Sequence, residues 1–172
     1  MLESVLFYLF AATAVISAVF VVTKKNPVSS AVSLVVTFLS LAGFYMLLNA
    51  HFIAIVQILV YAGAIMVLFL FVIMLMDLKK EEDIFSKLKA QKFFGIIFAI
   101  ILVAEVFAVT KAFTSQLLSK EIYTPENIAA AGGNTKAIGR LLFTDFLLPF
   151  EVTSVLLLVA IIGAVVLGKK EG

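Results

Sequence analysis

Apolar residues run along this chain in five long stretches, and the polar positions between them mark where each one stops. The first extends from Val5 to Val22 and ends at Lys24-Lys25. Asn26-Pro27 restarts the chain, with Pro27 suited to the first turn of a helix, where its missing N–H costs nothing. The second stretch runs from Val28 to about Leu48 and is followed by the short connector Asn49-Ala50-His51. The third, Phe52 to Met76, reads FIAIVQILVYAGAIMVLFLFVIMLM, carries no formal charge and ends at Asp77. A charged segment from Lys79 to Lys92 leads to the fourth stretch, Phe93 to about Phe113. A polar connector follows whose Pro125 and Gly132-Gly133 disfavour a continuous helix. The fifth stretch, Leu141 to Gly168, is interrupted by Asp145, Pro149 and Glu151 and closes with Lys169-Lys170.

The third stretch organises the rest. As a straight α-helix its 25 residues would reach roughly 37 Å, against a hydrocarbon core about 30 Å thick. In lipid such a helix needs no cover, because its backbone groups satisfy one another internally. The pattern therefore predicts an all-α integral membrane protein of one domain with five transmembrane helices. The expected spans are about 4–22, 28–48, 52–76, 93–113 and 142–168, with an external loop over about 114–141. Composition agrees: 63% of residues are hydrophobic, 14% are charged, and the mean hydropathy is +1.19, well outside the range of soluble domains.

The net charge of +2 is too small to point to nucleic acid, and its distribution matters more than its sum. With five spans, one side receives Lys24, Lys25, the five lysines between the third and fourth spans, Lys169 and Lys170, nine in all. The other side receives Lys111, Lys120, Lys136 and Arg140, four in all. Cytoplasmic loops carry the excess of basic residues, so the N-terminus is expected outside and the C-terminus in the cytoplasm. Met1-Leu2-Glu3 lacks the positive start of a signal peptide, so the first stretch reads as a retained span. The absence of cysteine excludes disulfides, thiolate metal sites and cysteine-held iron–sulfur clusters. A single histidine, His51, cannot build a His-rich metal site.

Few side chains remain that could carry chemistry. Glu105 lies about 18 Å into its helix, near the bilayer midplane, where an ionised carboxylate costs a few kcal/mol. It reads as a proton-relay or coupling residue, as a neutral acid bonded to a neighbouring helix, or as a partner for a cation on another subunit. Glu151 follows Pro149 near a helix start, where an acid is favoured by the positive end of the dipole; the other reading is a polar group in a proton path. Gln57 and Tyr61 are four residues apart and so share a helix face, while Gly63 permits close approach or irregular backbone. Periodicity alone gives ordinary helix packing for this trio. Rows of small residues at Ala104, Ala108 and Ala112, at Ala160, Ala164 and Gly168, and at Ser29, Ser33 and Thr37 are candidate close-packing stripes. No nucleophile–base set, phosphate loop or paired-carboxylate site is present, so nothing reads as a self-contained enzyme.

Three blocks of sequence carry a resemblance. QILVYAGAIMVLFLFVIMLMD, Gln57 to Asp77, resembles the third helix of the J-subunit family of NADH-quinone oxidoreductase, respiratory complex I. Asn26-Pro27-Val28 with Ser30-Ala31 before the second span, and IGRLLFTDFLLPFEVTSVLLLVAIIGAVVL from Ile138 to Leu167, resemble the same family in the same order. The resemblance implies a five-helix subunit in the membrane arm of a proton-translocating complex of the bacterial inner membrane. Its cofactors (FMN and iron–sulfur clusters) and its quinone are held elsewhere in the assembly, and none is expected in this chain. Other membrane-arm subunits, especially A, H, K and N, are the implied partners, together with the lipid bilayer. The resemblance further implies a π-bulge in the third helix that converts to regular α-helix, placed here at Tyr61, Ala62, Gly63, Ala64, Ile65, Met66 and Val67. Glu105 matches no motif of that family. Two other readings stay open: a scaffold subunit of a related dehydrogenase or membrane-bound hydrogenase, and a small stand-alone transporter using Glu105.

Overall fold

The structure, a computed structural model, describes residues 1–76, 89–117, 125–130 and 132–169. These residues form helices and turns. α1 is Leu2–Thr23 and α2 is Pro27–Leu47; α3 is a 25-residue span, His51–Leu75. α4 is Lys89–Leu117, α5 Pro125–Ala130, α6 Asn134–Phe143 and α7 Leu147–Gly168. Five of them (α1, α2, α3, α4 and α7) are long and apolar enough to cross a membrane. The spans begin and end within a few residues of the sequence-based limits, except that α4 extends further at both ends and the fifth starts only at Leu147. The expected external loop contains α5 and most of α6. Of the residues used to assign orientation, Lys79, Lys80, Lys87, Lys120 and Lys170 lie outside the described residues, as does Asp77.

Local chemistry explains each break. Asn26 caps α2, its side-chain oxygen accepting from the N–H groups of Val28 (2.9 Å) and Ser29 (3.3 Å), with Pro27 in the first helical position. α2 ends in a Schellman turn: the N–H of Ala50 donates to the Tyr45 carbonyl (2.8 Å) and that of Asn49 to Met46 (3.1 Å). Asn49 takes the left-handed conformation this turn demands, φ 57°. The same closure ends α5, where Gly132 (φ 89°) and Gly133 bond back to Ala129 and Ile128. Asp145 interrupts the fifth stretch because Thr144, Asp145 and Phe146 form the turn between α6 and α7. Pro149 is tolerated because it falls in the first turn of α7, whose N–H groups have no partner within the helix.

α2 is the centre of the packed part. It lies against α1 on one side and α3 on the other. The contact surfaces are built from small residues: Ser17 of α1, Ala31, Ser40 and Ala42 of α2, and Ala54 and Ala62 of α3 are all buried. Lipid offers no hydrophobic force between helices, so close backbone approach and interhelical hydrogen bonds hold them together. Thr13 and Ser40 share one such bond (3.0 Å), Ser17 and Thr37 another (2.8 Å), and the Ser30 hydroxyl donates to the Val21 carbonyl. Toward the other end of this pair Phe7 and Phe10 meet Phe44 edge-on, and the Phe10 ring crosses the bare backbone of Gly43.

The remaining spans stand apart. Among the described residues α4 touches no other helix, and α7 touches only α6. Of the three small-residue rows, the one ending at Thr37 contributes a hydrogen bond between helices. Ala104, Ala108, Ala160, Ala164 and Gly168 are exposed, so these positions pack against no other helix among the described residues. The large apolar side chains of α4 between Phe94 and Val109, and those of α7, are exposed, as expected for surfaces that face lipid or other subunits.

α6 ties the connector to the bundle. The first backbone groups of α3 have no side-chain cap of their own, and the N–H of Phe52 instead donates to the Asn134 side-chain oxygen at 3.2 Å. Asn134→Ala is expected to lower the stability of the chain by about 0.5–1.5 kcal/mol, the net worth of one such bond. Thermal unfolding in detergent reads this as a lower midpoint, whereas an unchanged midpoint would mean the bond contributes nothing.

Candidate functional site

α3 is not a uniform helix. His51–Val56 is α-helical, Gln57–Ile65 is π-helical and Met66–Leu75 returns to α. At the end of the π segment the Met66 N–H still reaches the Tyr61 carbonyl, five residues back, as well as that of Gly63. A Cβ at Gly63 would lie 3.2 Å from the Ile58 carbonyl oxygen, also five residues back. Glycine lets that carbonyl approach without a side chain in the way. The irregular segment begins four residues before the range expected from sequence, so Gln57 to Val60 belong to it and Met66 and Val67 do not.

Burial reports the same inserted residue independently. The inward positions of α3 are Ala54 (1% exposed), Gln57 (7%), Ala62 (8%) and Met66 (3%). Their spacings are three, five and four, whereas a regular α-helix repeats its face every three or four residues. The step of five spans the π segment. Consequently Gln57 and Tyr61 do not share a face, contrary to the spacing argument. Gln57 turns in with Ala62, while Tyr61 is 45% exposed at the flank, its ring edge-on to Phe38 of α2 at 5.9 Å. Ala64, Ile65 and Val67 are exposed. Nothing in the sequence pattern alone distinguished Phe38; it is a partner of Tyr61 only because α2 lies alongside.

The acidic candidates are placed elsewhere. Glu105 is exposed on α4, the span with no helix beside it among the described residues. Glu151 is the fifth residue of α7, past the first turn where the helix dipole acts, so dipole stabilisation at the helix start does not describe it. It too is exposed. Among the described residues, therefore, Gln57, Glu105 and Glu151 lie on helices that do not touch one another. His51 opens α3, exposed, beside a cavity of about 470 Å³ between the α2–α3 turn and the segment Ile128–Asn134. Among the described residues no group of three His, Asp or Glu could hold a metal, and the chain has no cysteine for an iron–sulfur cluster.

Comparison with known proteins agrees with this architecture. Residues 17–167 match the family described as NADH-ubiquinone/plastoquinone oxidoreductase chain 6. NADH-quinone oxidoreductase subunit J of Rickettsia typhi is 39% identical over 171 residues, covering 97% of this chain and 80% of that protein. F(420)H(2) dehydrogenase subunit J of Methanosarcina mazei is 41% identical over 172 residues, covering 99% of this chain and 93% of that protein. NADH-ubiquinone oxidoreductase chain 6 of Cyanidium caldarium is 37% identical over 172 residues, 97% of this chain and 84% of that protein. With the family match running from the last turns of α1 through α2, the π segment and nearly all of α7, and with relatives of about 40% identity over almost the whole chain, the chain belongs to the NADH-ubiquinone/plastoquinone oxidoreductase chain 6 family.

Proposed function

We propose that this protein is a membrane-arm subunit of a proton-translocating NADH:quinone oxidoreductase of the bacterial inner membrane, and that α3 switches between π and α forms to help couple quinone reduction to proton movement. The observation that carries the reading is the five-residue step between Gln57 and Ala62 on the buried face of α3. Removing the extra residue from that turn rotates everything downstream by about 100° and shifts it by about 1.5 Å. Tyr61 and Ile65 then turn toward α2, and Ala62 and Met66 turn out. The part before Gln57 stays in place, held by the Schellman turn, by buried Ala54 and by the Asn134 bond. A water path among the polar groups of neighbouring subunits opens or closes with that rotation, and the exposed carboxylates Glu105 and Glu151 are the groups this chain offers to it.

In this reading the N-terminus lies outside and the C-terminus in the cytoplasm, and the chain holds no catalytic site of its own. FMN, iron–sulfur clusters and quinone are carried by other subunits. The exposed apolar faces of α4 and α7 are where neighbours such as subunits A, H, K and N dock. The Methanosarcina relative supports a second reading, a J subunit in a complex fed by a donor other than NADH.

Two measurements test the proposal. Purification in gentle detergent should bring down a flavin- and iron–sulfur-bearing assembly, and recovery of the chain alone would refute it. Because the chain has no cysteine, Tyr61→Cys and Ala62→Cys each introduce a single thiol into it. In the assembled complex, adding NADH and quinone should lower maleimide labelling at position 61 and raise it at 62. Labelling at both positions that is insensitive to turnover would remove the switch and leave a scaffold.

A further inference from the structure

α6 is the one described helix with a strongly two-sided character. Asn134–Phe143 reads NTKAIGRLLF; Ile138, Leu141 and Leu142 are partly covered on one side, and Lys136 and Arg140 are exposed on the other. The two cations are four residues apart and so point the same way. Phe143, 64% exposed, lies on their face as well. Both ends of the helix are pinned at the starts of membrane spans. Asn134 bonds to Phe52 at the start of α3, and a turn of Thr144, Asp145 and Phe146 leads into α7. The third and fifth spans of an alternating bundle start on the same side, so α6 lies at one membrane boundary.

Between the cations is a cavity of about 660 Å³, lined by Ala130, Lys136, Ala137, Arg140, Phe143 and Thr144 among others. The stem of Lys136 runs over the Gly132 turn, where a Cβ would meet its Cδ at 2.7 Å. The Thr144 hydroxyl is taken up by the backbone, donating to the Arg140 carbonyl (2.9 Å). Among the described residues neither cation has an ion-pair partner. Beside the cavity Phe143 is edge-on to Phe150 (38% exposed) of α7 at 5.0 Å, and Phe146 (53%), in the turn between, adds a third apolar ring at the start of that helix.

We propose that Lys136 and Arg140 bind the phosphodiester headgroup of an anionic membrane lipid, whose acyl chain lies along Phe143, Phe146 and Phe150. The charges match an anion, and an amphipathic basic helix at a membrane boundary is the arrangement that recruits anionic lipid. The apolar track is what separates this from a site for free phosphate, which would use the cations alone. Arg140 supplies a fork that grips two phosphate oxygens, and Lys136 supplies a second point charge from one turn earlier.

The chain has no tryptophan, so Phe143→Trp places a single fluorophore at the cavity of the full chain reconstituted in phosphatidylcholine vesicles. Quenching by bromine-labelled phosphatidylglycerol should exceed that by bromine-labelled phosphatidylcholine, with roughly tenfold tighter apparent binding of the anionic lipid. Adding Lys136→Gln and Arg140→Gln should erase the difference, and Lys136→Arg should retain it. Equal quenching by the two lipids overturns the proposal. So does a preference that survives the double Gln change, or one that inorganic phosphate at matched concentration abolishes.

Discussion

Gly63→Val is expected to give an assembled complex that reduces quinone with little or no proton translocation. A Cβ at this position would sit 3.2 Å from the Ile58 carbonyl oxygen, and valine adds two methyl groups whose rotamers are restricted inside a helix. The carbonyl it crowds belongs to the π turn, so the substitution penalises that form specifically. A bias of about 1–2 kcal/mol between the two forms changes their ratio roughly 5–30-fold, enough to hold α3 in one of them. Gly63→Ala should fall between, since only the first of the three added carbons is present. The measurement is protons moved per quinone reduced, with subunit content checked on the same sample. Wild-type coupling in an assembled Gly63→Val complex would exclude the switch, whereas loss of the subunit itself would favour the scaffold reading.

Gly43→Leu should have the largest effect on the fold of the chain, and by a different route. The Phe10 ring already lies 2.6–2.7 Å from where a Cβ would be, so even alanine forces the ring aside. Leucine would expel it and break the edge-on contacts that Phe7 and Phe10 make with Phe44. Overpacking of this kind costs about 1–3 kcal/mol. Here it falls on the α1–α2 contact, which also carries the Thr13–Ser40 and Ser17–Thr37 bonds. Thermal unfolding of the chain in detergent should show a clearly lowered midpoint. Phe10→Ala on the Gly43→Leu background should recover part of it, because the two residues compete for one space. Additive losses in the double variant would show that the ring and the glycine are not coupled.

Five apolar stretches and the helix start at Pro27 were legible in the linear chain, because lipid rewards composition and length over detail; the start of α7 at Leu147 was not, since its apolar stretch begins before the turn. The candidate site was legible only in part. The strings around Tyr61 and Gly63 pointed by resemblance to an irregular third helix, and a π segment lies there, but spacing put Gln57 and Tyr61 on one face, and they are not. Regular periodicity is an assumption about every turn, and one inserted residue defeats it for everything that follows. The small-residue rows fail for a related reason: Ala160 and Ala164 have the spacing of a packing stripe, yet which stripe meets a helix depends on which helices are neighbours.

What the sequence determined by itself is therefore the class of protein: a chain too apolar for water, cut into five membrane-length helices and without cysteine. Tertiary structure alone decided that α2 stands between α1 and α3, that Asn134 reaches across 82 positions to cap the third span, and that the inward face of that span runs through Ala62 and not Tyr61. The reason is physical. Burial in lipid is a property each residue carries with it, whereas the facing of a helix and the choice of a hydrogen-bond partner are settled by the surfaces that come to lie beside it.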